Sequence, residues 1–478
     1  MHSNIKITSK STIKSAMSKI DRNGIGTVFV VNSSDVLVGV ITDGDIRRAI
    51  LRGANIFSSC KTLMKKKFIT IKKDESKTEV FKLLQKFKNI IKVIPIIDKK
   101  GKLIDYATSD RLNFIPIYYP HLKGNELKYL SKCITENWIS SNGPFVKNFE
   151  SSFSAMHNKR PSLAVSSGTT ALHLSLVALG IKKGDEVIVP NMTFAAVINA
   201  VLYIGAKPVI VDIDEKKWNI TPDEIQKNIT RKTKAVIVVH FLGNPCNLEK
   251  IKKICNSKKI FLVEDCAEAI GSKYKNKLVG TFGDCSTFSF FGNKTITTGE
   301  GGMITFKDKK IYEKANILRD HGMSQKKRYY HDVIGFNYRM TNMQAAIGMA
   351  QLERFKIIIN EKIKIFNIYK KIIGKNKFIT FQKTEKNALN TYWLVGVKFV
   401  NKKIDIIELQ EKMLKKGIET RNFFYPLNVQ KIYSKFITKK NYLAEKVFNN
   451  SILLPTFPGI KYSEIRLISK VLTDSINK

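Results

Sequence analysis

Apolar runs separated by amphipathic stretches constrain this chain more than any other feature. DEVIVP, KPVIVDID, KAVIVVHF, KIFLVED and CSTFSF follow one another between Asp185 and Phe290, with helical patterns such as TALHLSLVALG, FAAVINAVLYIG and LEKIKKICNSK before or between them. Near-continuous Val/Ile runs between helices are the mark of strands buried on both faces, so a mainly parallel sheet with helices on either side is expected from about residue 120 to 350. After about 355 a long helical pattern, then TYWLVGVKFV, DIIELQEKMLKKGI and a last helix YSEIRLISKVLTDSI read as a smaller α+β domain.

The first 115 residues follow a different rule. GTVFVV and LVGVIT precede the helical DGDIRRAILRG, and a similar order returns in FITI, ESKTEVFKLLQKF, NIIKVIPIID and GKLIDYATSD. This is an internal repeat of about 60 residues with a β-α-β-β-α plan. The stretch NFIPIYYPHLKG, with two prolines and no periodicity, reads as a linker. The expected domains are therefore 1–115, 116–360 and 361–478.

Charge and cysteine usage limit the function classes. Among 478 residues, 82 Lys+Arg against 40 Asp+Glu give a net charge of +42, which would draw anionic ligands. The excess is mostly lysine spread from end to end, without a sustained basic helix or an aromatic RNA-binding motif, so nucleic-acid binding is not expected. Six cysteines without CxxC or paired spacing suggest free thiols in a reducing cytoplasm, with no disulfide frame and no metal site. No apolar run reaches membrane-spanning length, and the basic N-terminus has no apolar signal core behind it, so a cytoplasmic protein is expected.

In parallel sheets ligands gather beyond the carboxyl ends of the strands, which makes the residues there candidates. Ser167, Gly168, Thr169 and Thr170 open a helix, where free N–H groups could hold an anion; the same residues also serve as an ordinary cap. Asp265 ends a strand and is either an N-cap or a buried carboxylate facing a heterocyclic cation. Ser289 ends another strand, five residues before Lys294, and that lysine precedes the glycine-containing loop TITTGEGG, whose backbone can lie close to a ligand. A phosphate loop, a strand-end aspartate and then a lysine, in that order, are what pyridoxal 5′-phosphate requires: a cradle, a partner for the pyridine nitrogen and an amine for covalent attachment.

From Pro120 onward the chain resembles the DegT/DnrJ/EryC/StrS family of sugar aminotransferases. The matching segments are NWISSNGPFVKNFE, SSGTTALHL, VIVPNMTFAAVINAV, GAKPVIVDID, VEDCAEAIG, FSFFGNKTITTGEGG, GFNYRMTNMQAAIG and LPTFPG. The resemblance implies the aspartate-aminotransferase-like fold (fold type I), pyridoxal phosphate as cofactor, and a homodimer whose active sites are shared between subunits. It further implies that Lys294 bonds the cofactor covalently and later moves the proton, and that Asp265 pairs with the pyridine nitrogen. Gly168, Thr169 and Ser289 would hold the phosphate, joined by Asn337 from the neighbouring subunit. Phe194 would stack on the ring. Glu268 occupies a position often filled by glutamine, which contacts the ring hydroxyl. Relatives that are dehydratases carry histidine in place of the lysine, so Lys294 implies transamination.

The family's substrates are nucleotide-linked ketosugars, with glutamate as the usual donor. NWISSNGPFV, ETRNFFYPLN and NTYWLVGV look most like the perosamine-synthase group, which aminates C4 of a GDP-linked 4-keto-6-deoxymannose for surface polysaccharide. Arg421, Phe424 and Tyr425 are candidates for the sugar-nucleotide pocket, or for ordinary packing. A UDP-linked 4-keto sugar, as in bacillosamine or nonulosonic-acid routes, and a non-catalytic sensing role stand as alternatives.

The N-terminal repeat resembles a pair of cystathionine-β-synthase (CBS) domains through GVITDGDIRRAI, where Gly39, Thr42 and Asp45 match the family's Gly-x-x-Thr-x-x-Asp pattern. That implies an adenine nucleotide held by Thr42 and Asp45. In the second copy Asp105 stands where glycine is expected and Asp110 follows Thr108 by only two residues, so a second site is in doubt.

Overall fold

The computed structural model describes residues 4–75, 80, 83–84, 92–108, 114–324, 326–439 and 442–477. Two compact units divide the chain, one formed by Met1–Ile115 with Glu411–Glu419 and the other by Pro116–Gln410 with Thr420–Lys478.

In the first unit the repeat is visible in strand register. Strands β1 (Lys6–Thr8), β2 (Thr27–Val31) and β3 (Leu37–Thr42) form a sheet in that order, with β1 parallel and β3 antiparallel to β2. Strands β4 (Ile71–Lys72), β5 (Ile94–Ile97) and β6 (Leu103–Ala107) repeat the same order and directions. Each copy carries an irregularity at one place: Val30 pairs Gly39 and Val31 pairs Leu37, while Ile96 pairs Asp105 and Ile97 pairs Leu103. Asp105 thus occupies the position of Gly39. At Gly39 an added Cβ would lie 3.0 Å from the Met64 side chain, a crowding that favours glycine there. The helix expected from ESKTEVFKLLQKF falls largely outside the described residues, as does Asp110.

The second unit is built on a seven-stranded sheet. Its strands are β7 (Ser162–Val165), β8 (Glu186–Pro190), β9 (Lys207–Val211), β10 (Thr233–Val239), β11 (Phe261–Asp265), β14 (Cys285–Ser289) and β15 (Gly302–Phe306). Between them in the chain, the two-residue strands β12 (Lys273–Tyr274) and β13 (Lys277–Leu278) pair as a small hairpin. The spatial order is β7-β15-β14-β11-β10-β8-β9. All pairs among the last five are parallel, and β15 runs antiparallel to both β14 and β7. Both faces are covered: Val236, Val238, Ile188 and Met303 pack into one apolar cluster and Val187, Val189, Ile237 and Ile304 into another, the period-two alternation of strands with two dry faces.

Beyond the sheet the helix Phe355–Ile373 leads to β16 (Ile379–Phe381), β17 (Ala388–Leu389), β18 (Val395–Phe399) and β19 (Ser451–Leu454). β16, β18 and β19 form an antiparallel sheet, and β17 pairs with β12. The closing helix spans Tyr462–Ile476, the same residues as the sequence pattern, and buries Ile465, Ile468, Leu472 and Ile476 at helical spacing.

Candidate active site

The register of the sheet assembles the site. Asp265 at the end of β11 pairs with Val239 on one side and Thr287 on the other. Two residues further along β14, Ser289 pairs with Gly302 of β15, and Gly302 pairs with Val165 of β7. The carboxyl ends of β7, β11 and β14 therefore converge on one cleft of about 330 Å³. Gly168, Thr169, Phe194, Asp265, Glu268, Ser289, Lys294 and Phe424 all line it, so residues spread over more than half of the second unit's length meet there.

One end of the cleft is formed by the start of a helix. Ser167 caps the helix Gly168–Ala178 in a reciprocal box with Thr170, each side chain bonding the other's backbone N–H. The Ser167 and Thr170 side chains are thereby engaged, while the N–H groups of Gly168 and Thr169 sit in the first turn, where no intrahelical acceptor exists. Gly168 is packed closely enough on Ser289 that an added Cβ would lie 2.8 Å from the Ser289 Cβ. Only a residue without a side chain lets the helix start approach that hydroxyl.

At the other end stands Lys294, with its side chain 12% exposed. Its Nζ lies 3.7 Å from Glu268 Oε1 and 4.1 Å from the centroid of the Trp393 ring. Burial lowers the lysine's pKa, opposed by the charges of Glu268 and Asp265. Burial likewise pushes Glu268 up to about 7, against the pull of Lys294 and a hydrogen bond from the Leu242 N–H at 2.7 Å. Asp265 is also raised by burial, while one of its oxygens accepts the Ala267 N–H at 2.9 Å. Phe194 is 58% exposed at the cleft wall, its ring 5.4 Å from that of Phe424.

Behind these groups lies a support the sequence reading did not identify. The Trp393 indole N–H donates to the carbonyl of Asn293 at 2.7 Å, and the Tyr118 hydroxyl donates to the carbonyl of Lys294 itself. Tyr118 comes from the stretch read as a linker. Leu242, whose N–H holds Glu268, has φ 55, a left-handed backbone that costs a residue with a Cβ. It is held by Trp393, whose backbone N–H donates to the Leu242 carbonyl at 3.1 Å. The one available signal was that Trp393 is among only three tryptophans in the chain, in the segment NTYWLVGV.

Other expected residues fall elsewhere. Asn337 is exposed and does not line the cleft of its own chain. Arg421 is exposed and pairs through its backbone with Leu453. Tyr425 packs tilted against Phe448, ring centroids 4.5 Å apart, and lines, with Phe194 and Phe424, a second cleft of about 320 Å³. In the first unit Thr42 caps the helix Asp43–Leu51, and its hydroxyl donates to Asp45 at 2.7 Å. Asp45 is also reached by Arg48 at 2.6 Å and Lys65 at 2.8 Å; although burial would raise its pKa, these bonds bring it down to about 2. Thr42 and Asp45 are thus engaged with each other in this structure.

Among the described residues, His240, Glu264 and Cys266 form one group with metal-ligand spacing. Glu264 already accepts from the N–H groups of Gly280, Phe282 and Gly283, the Ser286 hydroxyl and His240, so its oxygens are saturated. This group braces the strand that carries Asp265.

Pyridoxal phosphate fits the cleft: the first-turn N–H groups of Gly168 and Thr169 beside Ser289 suit phosphate oxygens, Asp265 offers a buried carboxylate, and Lys294 offers a buried amine. The DegT/DnrJ/EryC1/StrS aminotransferase family model matches residues 120–473, and the CBS domain model matches residues 1–52 and 60–112. A protein named GDP-perosamine synthase from Escherichia coli O157:H7 is 44% identical over 363 residues, 76% of this chain and 99% of that protein. A GDP-4-keto-6-deoxymannose-3-dehydratase mutant solved with bound GDP-perosamine is similar at 26% identity and TM-score 0.71, covering 75% of this chain and 100% of that one. An E. coli GDP-4-keto-6-deoxy-D-mannose-3-dehydratase solved with bound hydrated PLP matches at the same identity and TM-score, over 75% and 99%. With Lys294, Asp265, Gly168 and Ser289 lining one cleft, the chain belongs to the DegT/DnrJ/EryC1/StrS aminotransferase family, as a pyridoxal-phosphate-dependent sugar aminotransferase preceded by a CBS-domain pair.

Proposed function

We propose that this aminotransferase moves the amino group of glutamate to C4 of a GDP-linked 4-keto-6-deoxymannose, giving GDP-perosamine for a surface polysaccharide in the cytoplasm. The observation that carries this reading is the 44% identity to a GDP-perosamine synthase along almost its whole length, together with a buried lysine, Lys294, on the cleft lining.

When bound, the cofactor supplies an electron-accepting ring that lets a bond to hydrogen at the amino-bearing carbon break. The residues supply the rest. Asp265, buried at the strand end, keeps a negative charge beside the pyridine nitrogen. Gly168, Thr169 and Ser289 hold the phosphate, and Phe194 covers one wall. Lys294 moves the proton, and the Trp393 and Tyr118 hydrogen bonds fix the backbone that carries it. The neighbouring aromatic wall of Phe424 and Tyr425 is where the nucleotide would lie, with Arg421 of the same segment as the candidate for its diphosphate.

A homodimer completes the site in this reading. Asn337 is exposed, and the nearby Tyr329, Tyr330, Val333 and Ile334 present apolar surface that a second copy would cover. The CBS pair would sense an adenine nucleotide through Thr42 and Asp45; a rise in melting temperature with ATP, ADP or AMP that Asp45→Ala abolishes supports this, and no rise with any of them overturns it.

The enzymatic test is a panel assay. Purified protein, cofactor and glutamate are given GDP- and UDP-linked 4-keto-6-deoxy sugars, and products are weighed by mass spectrometry. Amino sugar from the GDP substrate alone supports the proposal, whereas product only from a UDP sugar overturns the substrate assignment and leaves the chemistry standing.

A further inference from the structure

An amide at position 268 could only share hydrogen bonds; the carboxylate this chain carries there can hold a charge or a proton. Its placement here uses that difference. Oε2 is fixed by the Leu242 N–H at 2.7 Å, a donor that exists because Leu242 is held in a left-handed turn, and Oε1 is left facing Lys294 Nζ at 3.7 Å. The glutamate is 4% exposed, so water does little to screen the pair. A small rotation of either flexible side chain closes the gap to hydrogen-bond distance.

We propose that Glu268 is the counter-anion of Lys294, a positioning residue whose carboxylate sets how tightly the lysine nitrogen holds its proton and receives that proton when the nitrogen must be neutral. In this exchange the N–H bond at Nζ breaks as an O–H bond forms at Oε1, with no oxidation or reduction and no proton lost to solvent. Among the described residues, the other titratable groups around the pair are Asp265, whose charge acts on both, His240 behind Asp265, and Glu300 on the cleft lining. Burial drives the glutamate toward its neutral form and the lysine toward its neutral form, which brings the two proton affinities together and makes the exchange cheap. The inference rests on the cofactor and not on which sugar is used.

The test is the pH titration of the visible absorbance of the full-length holoenzyme, which reports protonation at the lysine nitrogen without turnover. Glu268→Gln keeps an acceptor for the Leu242 N–H but removes the charge, so the midpoint is expected to fall by about one pH unit or more, a tenfold loss of proton affinity. Glu268→Asp, with its charge retained one methylene short, should fall between. The same comparison is made on the full chain stripped of cofactor, following reductive methylation of Lys294 by mass spectrometry against pH, so that weak cofactor binding by a variant does not hide the result. Midpoints that stay put in Glu268→Gln by both readouts would mean that the glutamate merely shapes the cleft, and would overturn the proposal. Because neither readout contains a sugar, failure here is separable from failure of the substrate assignment.

Discussion

Lys294 and Trp393 meet twice: the lysine Nζ lies 4.1 Å from the indole centroid, and the indole N–H donates to the carbonyl of Asn293, the residue before the lysine, at 2.7 Å. The tryptophan therefore forms a floor for the lysine nitrogen and also fixes its backbone. An ammonium over an aromatic face is attracted by the ring's quadrupole.

Trp393→Ala should lose on both counts. The side chain is 2% exposed, and deleting a buried aromatic of this size costs about 3–5 kcal/mol. Trp393→Phe keeps the ring and loses the N–H donor, at about 1 kcal/mol. Urea unfolding orders the variants, and cofactor absorbance per folded chain shows whether the lysine has moved.

Lys294→Ala should retain the fold and lose both the covalent cofactor signal and turnover. The lysine's backbone carbonyl, which accepts from Tyr118, survives the substitution, so the scaffold stays in place. Far-UV circular dichroism alongside the visible spectrum is the check, and turnover surviving in this variant would remove Lys294 from its assigned role.

Gly168→Ala tests the phosphate cradle. The new methyl would lie 2.8 Å from the Ser289 Cβ and must push the helix start away from that residue. Cofactor affinity is expected to fall by about tenfold or more, equivalent to about 1.4 kcal/mol. Added inorganic phosphate should also compete less effectively for the variant, measured by fluorescence titration.

Acid stability should depend on Glu264. Burial alone would raise its pKa, but His240 and the backbone N–H groups of Gly280 and Gly283 prevail and bring it down to about 2. A folded-state value below the unfolded one means that its contribution is fully present above pH 4.5 and is lost as pH falls toward 2, in all about 3 kcal/mol. Glu264→Gln should lower stability at neutral pH and flatten the acid limb between those values, read from urea midpoints at each pH.

Lys362 gives the opposite sign. This lysine is fully buried in the helix Phe355–Ile373, its Nζ donating to the Thr456 carbonyl at 3.1 Å and lying 5.3 Å from the Tyr118 ring. Burial lowers its pKa to about 7 from 10.5. The folded state then resists the proton, so the lysine costs most below pH 7 and progressively less as pH rises toward 10.5. Lys362→Met should raise the melting temperature, with a gain that shrinks between those two values.

Much of the site was legible because strand ends are written locally. Runs of Val and Ile mark where each strand stops, and in a parallel sheet the residues beyond those stops face one edge, so Gly168, Asp265, Ser289 and Lys294 are legible as one group in the sequence. The repeat in the first 115 residues was likewise legible, down to Asp105 standing for Gly39, because the two copies share a register. The support behind the lysine was not. Trp393 reaches Asn293 across 100 residues and Tyr118 reaches Lys294 across 176, the latter from a segment whose prolines and lack of periodicity read as a connector. Hydrophobic periodicity reports which face of an element is buried but not which distant segment buries it. The sequence by itself determined the sheet and which strand-end residues meet at its edge, among them Gly168, Asp265, Ser289 and Lys294. Only the closed tertiary structure decided that a tryptophan floor, a tyrosine brace and a left-handed leucine turn would hold Lys294 against Glu268, because those contacts arise from chain closure and leave no local pattern.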